Sequence, residues 1–147
     1  MKQSSLLQAV RIERLNASVA NGATAVNSSS VSLGPGQGVL FLTELGAITA
    51  APKIKVQTSS DDAAWNDLAG TEDTTITATD DDKVAAVDIK RPLERYLRIS
   101  IDRSAGNSEV DGILAIVYNV QELPVTQAAD QVAGEAKSFL AVAEGTA

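Results

Sequence analysis

Asp61, Asp62 and Asp67 flank Trp65, the single tryptophan of the chain. Carboxylates beside a flat ring are the parts of a glycosidase: one acid protonates the leaving oxygen, a second carboxylate attacks or activates water, and the ring stacks on the sugar. The same aspartates also meet a simpler need. Asp side chains bond nearby backbone N–H groups and so make turns, and on that reading Trp65 caps the core. Asp80, Asp81 and Asp82 offer the oxygen ligands that Ca²⁺ takes, but they lack the spacing of an EF-hand loop, and adjacent side chains of an extended run point to opposite sides. They read as a solvated turn. Gly34-Pro35-Gly36-Gln37-Gly38 lacks the Lys and the Ser or Thr of a phosphate loop, so it reads as a turn as well. His and Cys are absent altogether, which removes the commonest general base, the imidazole ligand, the thiol nucleophile and any disulfide. The expectation is a protein with no catalytic residues, no metal and no cofactor.

What must position these groups is a set of strands. In residues 53–58 Ile54 and Val56 share one face while Lys53, Lys55 and Gln57 take the other, as in a half-buried antiparallel strand. Residues 95–103 alternate in the same way, with Tyr96, Leu97, Ile99 and Ile101 set against Arg95, Arg98, Ser100 and Asp102. Further strands are predicted at residues 7–15, where a short helix competes, at 30–33, at 39–45 with both faces covered, at 65–68, 74–79, 84–89 and 113–120. Residues 48–51 extend the fifth-decade strand after a break at Gly46, and Asn21-Gly22 and residues 27–30 read as turns. About eight strands with turn residues between them fit an all-β fold, a jelly-roll-like antiparallel β-sandwich, with an up-and-down barrel as the other closed form. Residues 125–147 carry no alternation and divide the chain into a sandwich domain, 1–124, and a C-terminal arm, 125–147, in which Phe139, Leu140 and Val142 form a small apolar anchor.

Composition limits the class. A chain of 147 residues with 44% hydrophobic content closes one core, and with five aromatics (one Trp, two Tyr, two Phe) that core is aliphatic. No run approaches the roughly 20 apolar residues of a membrane span, and the opening MKQSSLLQAV does not read as a secretory signal. The net charge is −7, and from Ser104 onward six acids face one base, Lys137. Nucleic-acid binding rests on clustered Lys and Arg, so neither nucleic acid nor membrane is an expected partner. Lys90, Arg91, Arg95, Arg98 and Arg103 form the one basic concentration, read either as the wet face of neighbouring strands making cross-strand ion pairs or as a surface for an acidic protein.

Three stretches, VQTSSDDAAWNDLAG, RPLERYLRISIDR and ILAIVYNVQELPVTQ, together within residues 53–127, resemble those of tailed-bacteriophage capsid decoration, or cement, proteins of the jelly-roll type. The resemblance implies a virion structural protein on the capsid surface, a homotrimer that clamps neighbouring subunits of the phage major capsid protein. It makes Trp65 and Tyr96 core anchors, and Tyr118, Leu123, Pro124, Val125, Phe139 and Leu140 candidate contacts to the capsid or a neighbour. Turn–Trp patterns of this kind also occur in carbohydrate- and receptor-binding sandwiches, which gives the alternative: a binding module of a phage tail or cell-surface protein.

Because no metal-binding residue set is legible, chelation is expected to move the melting temperature by less than about 2 °C, below the shift for losing 1 kcal/mol in a domain of this size. Calorimetry with and without chelator checks this; a larger drop restored by Ca²⁺ would reveal a site at Asp61–Asp62 or Asp80–Asp82.

Overall fold

Leu97, Ile99 and Ile101 point one way from their strand and are fully buried, and the fold is built around that face. The computed structural model describes residues 5–121, 123 and 125–134. A one-turn helix, α1 (Leu6–Ala9), leads into β1 (Arg11–Asn16), so both readings of the N-terminal segment hold in part. Then follow β2 (Val19–Gly22), β3 (Val26–Asn27), β4 (Val31–Ser32), β5 (Gly38–Ile48), β6 (Lys53–Ser59), β7 (Asn66–Asp67), β8 (Val84–Ile89), β9 (Tyr96–Asp102) and β10 (Ser108–Tyr118). They form two antiparallel sheets packed as a sandwich. One has the order β1-β10-β5-β8 with β2 also on β10; the other has β3-β9-β6-β7 with β4 also on β9.

The core lies between the sheets. Val39, Phe41 and Leu45 of β5 and Val110, Ile113, Ala115 and Val117 of β10 meet Ile54 and Val56 of β6 and the β9 face, with Val31, Leu33 and Ile76 closing the sides. Burying each large aliphatic side chain stabilises the fold by about 1.5–3 kcal/mol. Both long strands change phase without ending. In β5 the inward positions run Val39, Phe41, Thr43, Leu45 and then Ile48, and in β10 they pass from Val110 to Ile113, each across a register irregularity. The expected break at Gly46 is therefore a bulge inside one continuous strand, which adds a residue and swaps the faces. Outside the core Leu40 and Leu42 are only half-buried, paired with Ile116 and Leu114.

Residues 74–79 do not form the expected strand. Asp73 Oδ1 accepts bonds from Thr75 N (2.8 Å) and Thr75 Oγ1 (2.7 Å), and Asp80 Oδ2 accepts from Thr77 N (2.8 Å). Short polar side chains thus take the backbone donors that a ladder would use. The Lys83 ammonium at 2.8 Å, with the Thr77 N–H and hydroxyl, holds the Asp80 carboxyl down at about 2. The β-branched run is a looped crossover, and Ile76 alone of it enters the core.

Where turns were expected near Asn21, β2 and β3 form, and Arg103 explains why. Continuing the β9 alternation, residue 103 faces inward, and its guanidinium sits at the rim of the core at 4% exposure. It donates to the carbonyls of Thr24 (2.6 Å), Ala20 (3.0 Å) and Ser108 (2.6 Å). One buried cation thereby ties the β2–β3 connection to the start of β10. Arg103 belongs to this closure and not to a wet face.

Replacing Arg103 by Leu leaves three carbonyls without their donor and is expected to cost about 3 kcal/mol, read as a lower urea midpoint. Arg14→Leu, on the exposed side of β1, is expected to change stability by less than about 0.5 kcal/mol.

Candidate functional site

The strand registers give the sandwich two ends. β5 starts, β8 finishes, β9 starts and β10 finishes at the same end, where the 90–95 loop crosses between the sheets. Leu33 N donates to Arg95 O (2.8 Å), and Arg11 Nη2 donates to Ser32 O (2.6 Å), so the loop, the 33–37 turn and β1 are fastened together there. Residues 60–65 and 119–121 leave from this end too, and the candidate contact residues that the structure describes, Tyr118, Leu123 and Val125, lie here.

Trp65 and Tyr96, expected as core anchors, are instead only half-buried, on the outer face of the β9–β6 sheet and outside the core cluster. Strand parity is the reason: Tyr96 shares its face with Arg98 and Asp102, opposite Leu97 and Ile99. The Arg98 guanidinium lies 4.3 Å from the Trp65 ring centroid, a cation–π contact. From there a polar chain crosses the sheet: Arg98 Nε donates to Gln57 Oε1 (2.9 Å), Gln57 Nε2 to Asp67 Oδ1 (2.8 Å), and Lys55 Nζ to Asp67 Oδ2 (2.7 Å). One side of the indole that would stack on a sugar is thus occupied. Tyr96 likewise carries Arg95, 5.3 Å from its centroid.

The carboxylates near Trp65 are engaged in structure. Asp61 Oδ1 accepts from Ala64 N (2.9 Å), Ala63 N (3.0 Å) and Ser59 Oγ (2.9 Å), bonds that hold its carboxyl below the usual range and fix the turn. Asp67 is lowered chiefly by the Lys55 ammonium. A general acid needs the opposite shift. Among the described residues no group of three or more His, Cys, Asp or Glu is placed to hold a metal ion, and no helix is long and apolar enough to cross a membrane.

Tyr118 lies over Gly38, where a Cβ would run into its ring, and donates to Asp88 Oδ1 (2.7 Å). Leu123 is exposed, and Val125 is half-buried with its N–H on Gln8 O (2.9 Å). Pro124, Phe139 and Leu140 lie outside the described residues. Residues 125–131 run along the edge of β1 that faces away from β10. Gln127 Oε1 accepts from Ile12 N (3.0 Å) while its Nε2 donates to Leu7 O (2.8 Å) and Val10 O (2.6 Å), and Gln131 Oε1 accepts from Arg14 N (2.8 Å). Side-chain amides here stand in for a neighbouring strand and cover an edge that would otherwise be open to pairing.

The five basic residues of the sequence are not one surface. Arg103 is inside, Arg98 is under Trp65, and Lys90, Arg91 and Arg95 remain at the loop end; none of the five makes an ion pair with another described residue. Beside that loop lies a groove of about 760 Å³ between Arg11, Leu33, Pro35, Gln37, Leu93 and Arg95. A second, of about 510 Å³, continues past Gln37 to Val120, Gln121 and Val125. Arg11, Leu93 and Gln37 were missed as site residues. The available signal was the pair of turn sequences, Gly-Pro-Gly and Arg-Pro, that frame the groove. Gly36, at φ 74°, occupies the left-handed position of the first turn, closed by Gln37 Oε1 accepting from Gly34 N (2.8 Å). No protein-family model matches the chain, and no curated protein matches it either.

Partial burial, then the bond to Asp88, pushes the Tyr118 phenol up to about 12. The protonated form is favoured in the folded state, so this contribution to stability is complete below about pH 10, the ordinary tyrosine value, and is lost as pH rises toward 12. Tyr118→Phe is expected to abolish tyrosinate absorbance that rises near pH 12; if the variant loses no absorbance step at that pH, the contact is contradicted.

Proposed function

We propose that the chain is a virion structural protein, a decoration or cement protein bound to the outer surface of a tailed-phage head, where it stabilises contacts between major capsid subunits. The observation that carries this reading is where the three resembling stretches fall. They include the second half of β6 with β7, all of β9 and the second half of β10, and each passes through the same end of the sandwich, by way of residues 59–65, 92–96 and 118–121. The jelly-roll description belongs to the same reading.

The mechanism is adhesion by buried area. A rigid sandwich spanning a joint between capsomers must be peeled away before they separate, and several weak contacts per assembly add through effective concentration. Self-association as a homotrimer is part of the proposal. It is supported by the outer face of the β5–β10 sheet, where Ile12, Leu40, Leu42, Leu114 and Ile116 are half-buried rather than covered. The arm, 125–147, is proposed to reach a neighbour with its terminal part, including Phe139 and Leu140, while Gln127 and Gln131 fix its root on β1. A second reading, a carbohydrate- or receptor-binding module, is favoured by the outward placement of Trp65 and Tyr96 at this same end.

The test is co-sedimentation of the purified protein with phage heads lacking their own decoration protein, alongside light scattering. Saturable binding, a trimeric mass, and heads that resist heating better when coated are expected. Removing 125–147 is expected to cost about 2 kcal/mol by exposing the β1 edge, to leave the domain folded, and to weaken retention on heads. Binding to surface polysaccharide with none to heads would overturn the proposal in favour of the second reading.

A further inference from the structure

We infer that the loop end of the sandwich is a docking surface for an acidic peptide segment that carries an aliphatic side chain. Leu93 and the adjoining groove take the apolar part, and Lys90, Arg91 and Arg95 take the carboxylates. The inference rests on the reading that the chain works by binding another protein, but not on that protein being a capsid subunit.

Apolar exposure is concentrated here. Four large hydrophobic residues are exposed among the described ones, Leu6, Val84, Leu93 and Leu123, and three of them, all but Val84, belong to this end. Leu93 has no shelter at all, in a chain whose other aliphatic side chains mostly find the core. Leu93 stands beside the larger groove, rimmed by polar side chains, and an apolar group so placed is what a contact surface offers. The loop is also fixed in advance: Pro92 restricts the backbone, Arg91 sits at φ 48°, and Arg95 O is bonded to Leu33 N. Little ordering is left for binding to impose.

Charge chooses the partner. Lys90, Arg91 and Arg95 have no carboxylate partner among the described residues, whereas the neighbouring Arg11 is spent on Glu13 (2.6 Å) and the Ser32 carbonyl. Glu94 is the one acid lining the larger groove. On a molecule of net charge −7, Lys90, Arg91 and Arg95 make a local basic patch on the 90–95 loop, set apart from Asp61, Asp62 and Asp88 elsewhere at this end, and that patch steers an acidic segment to the loop. Nucleic acid is disfavoured because single strands need stacking rings beside the basic groove, and here the groove is lined by an aliphatic leucine, while Tyr96 already carries Arg95 and Trp65 already carries Arg98.

The probe is a labelled peptide of repeated Glu-Glu-Leu triplets, titrated by anisotropy against the full chain and against Leu93→Ala, Lys90→Glu/Arg95→Glu and the control Arg14→Glu, with melting curves for each. All four proteins are expected to fold. The peptide should bind the wild type and the control alike, lose about tenfold in affinity with each of the other variants, and weaken as salt is raised. Absence of binding to the wild type, or equal binding by Leu93→Ala, overturns the inference, and does so without touching the cement reading if heads still co-sediment. Peptide binding with no binding to heads supports the inference and removes the capsid as partner. An oligonucleotide that binds the same end more tightly than the peptide also overturns it.

Discussion

The structure depends on one dry layer of branched aliphatic side chains. Leu97, Ile99 and Ile101 on one sheet and Val39, Ile113 and Val117 on the other reach zero exposure, with Phe41 as the single large ring among them. Because a strand shows alternate residues to opposite faces, fixing that layer also fixes everything outside it. Tyr96, Arg98 and Asp102 are turned outward because their neighbours are turned in. The bulges in β5 and β10 let two long strands keep their apolar residues inside after the phase has slipped.

The two ends of this layer are closed differently. At one, Arg103 gathers three backbone carbonyls and Asp81 accepts the Ile48 N–H at 2.7 Å, so polar groups are spent on holding loops together. At the other, the loops are bound to each other by a few backbone contacts and leave two grooves, exposed leucines and cations with no carboxylate partner among the described residues. A buried arginine satisfied by carbonyls is expensive to break, which makes its end a structural base. The opposite end is the one with surface to offer.

Much of this was legible in the sequence where a single period governed the residues. Residues 53–58 and 95–101 read correctly as strands because one face of each is almost purely aliphatic. Residues 74–79 misled because threonine favours strands in general, while the flanking Asp73 and Asp80 captured the backbone locally. Trp65 and Tyr96 misled because few aromatics exist and large rings are expected inside; the cation that holds Trp65 outside comes from Arg98, 33 positions along the chain, a pairing that no local pattern reveals. Gln127 left no signal either, since its role depends on β1 having a free edge. The groove was only half visible, as two turn sequences whose meeting is a matter of topology.

Asp61, Asp67, Asp73 and Asp80 serve turns and ion pairs. We propose that the molecule binds its partner through the loop end. Amide hydrogen exchange of the protein free and bound to phage heads tests it most directly. Protection gained on binding is expected at residues 33–37, 90–95 and 118–125, with the loops at 79–83 and 103–107 unchanged; protection confined to those latter loops, or none anywhere, would contradict it.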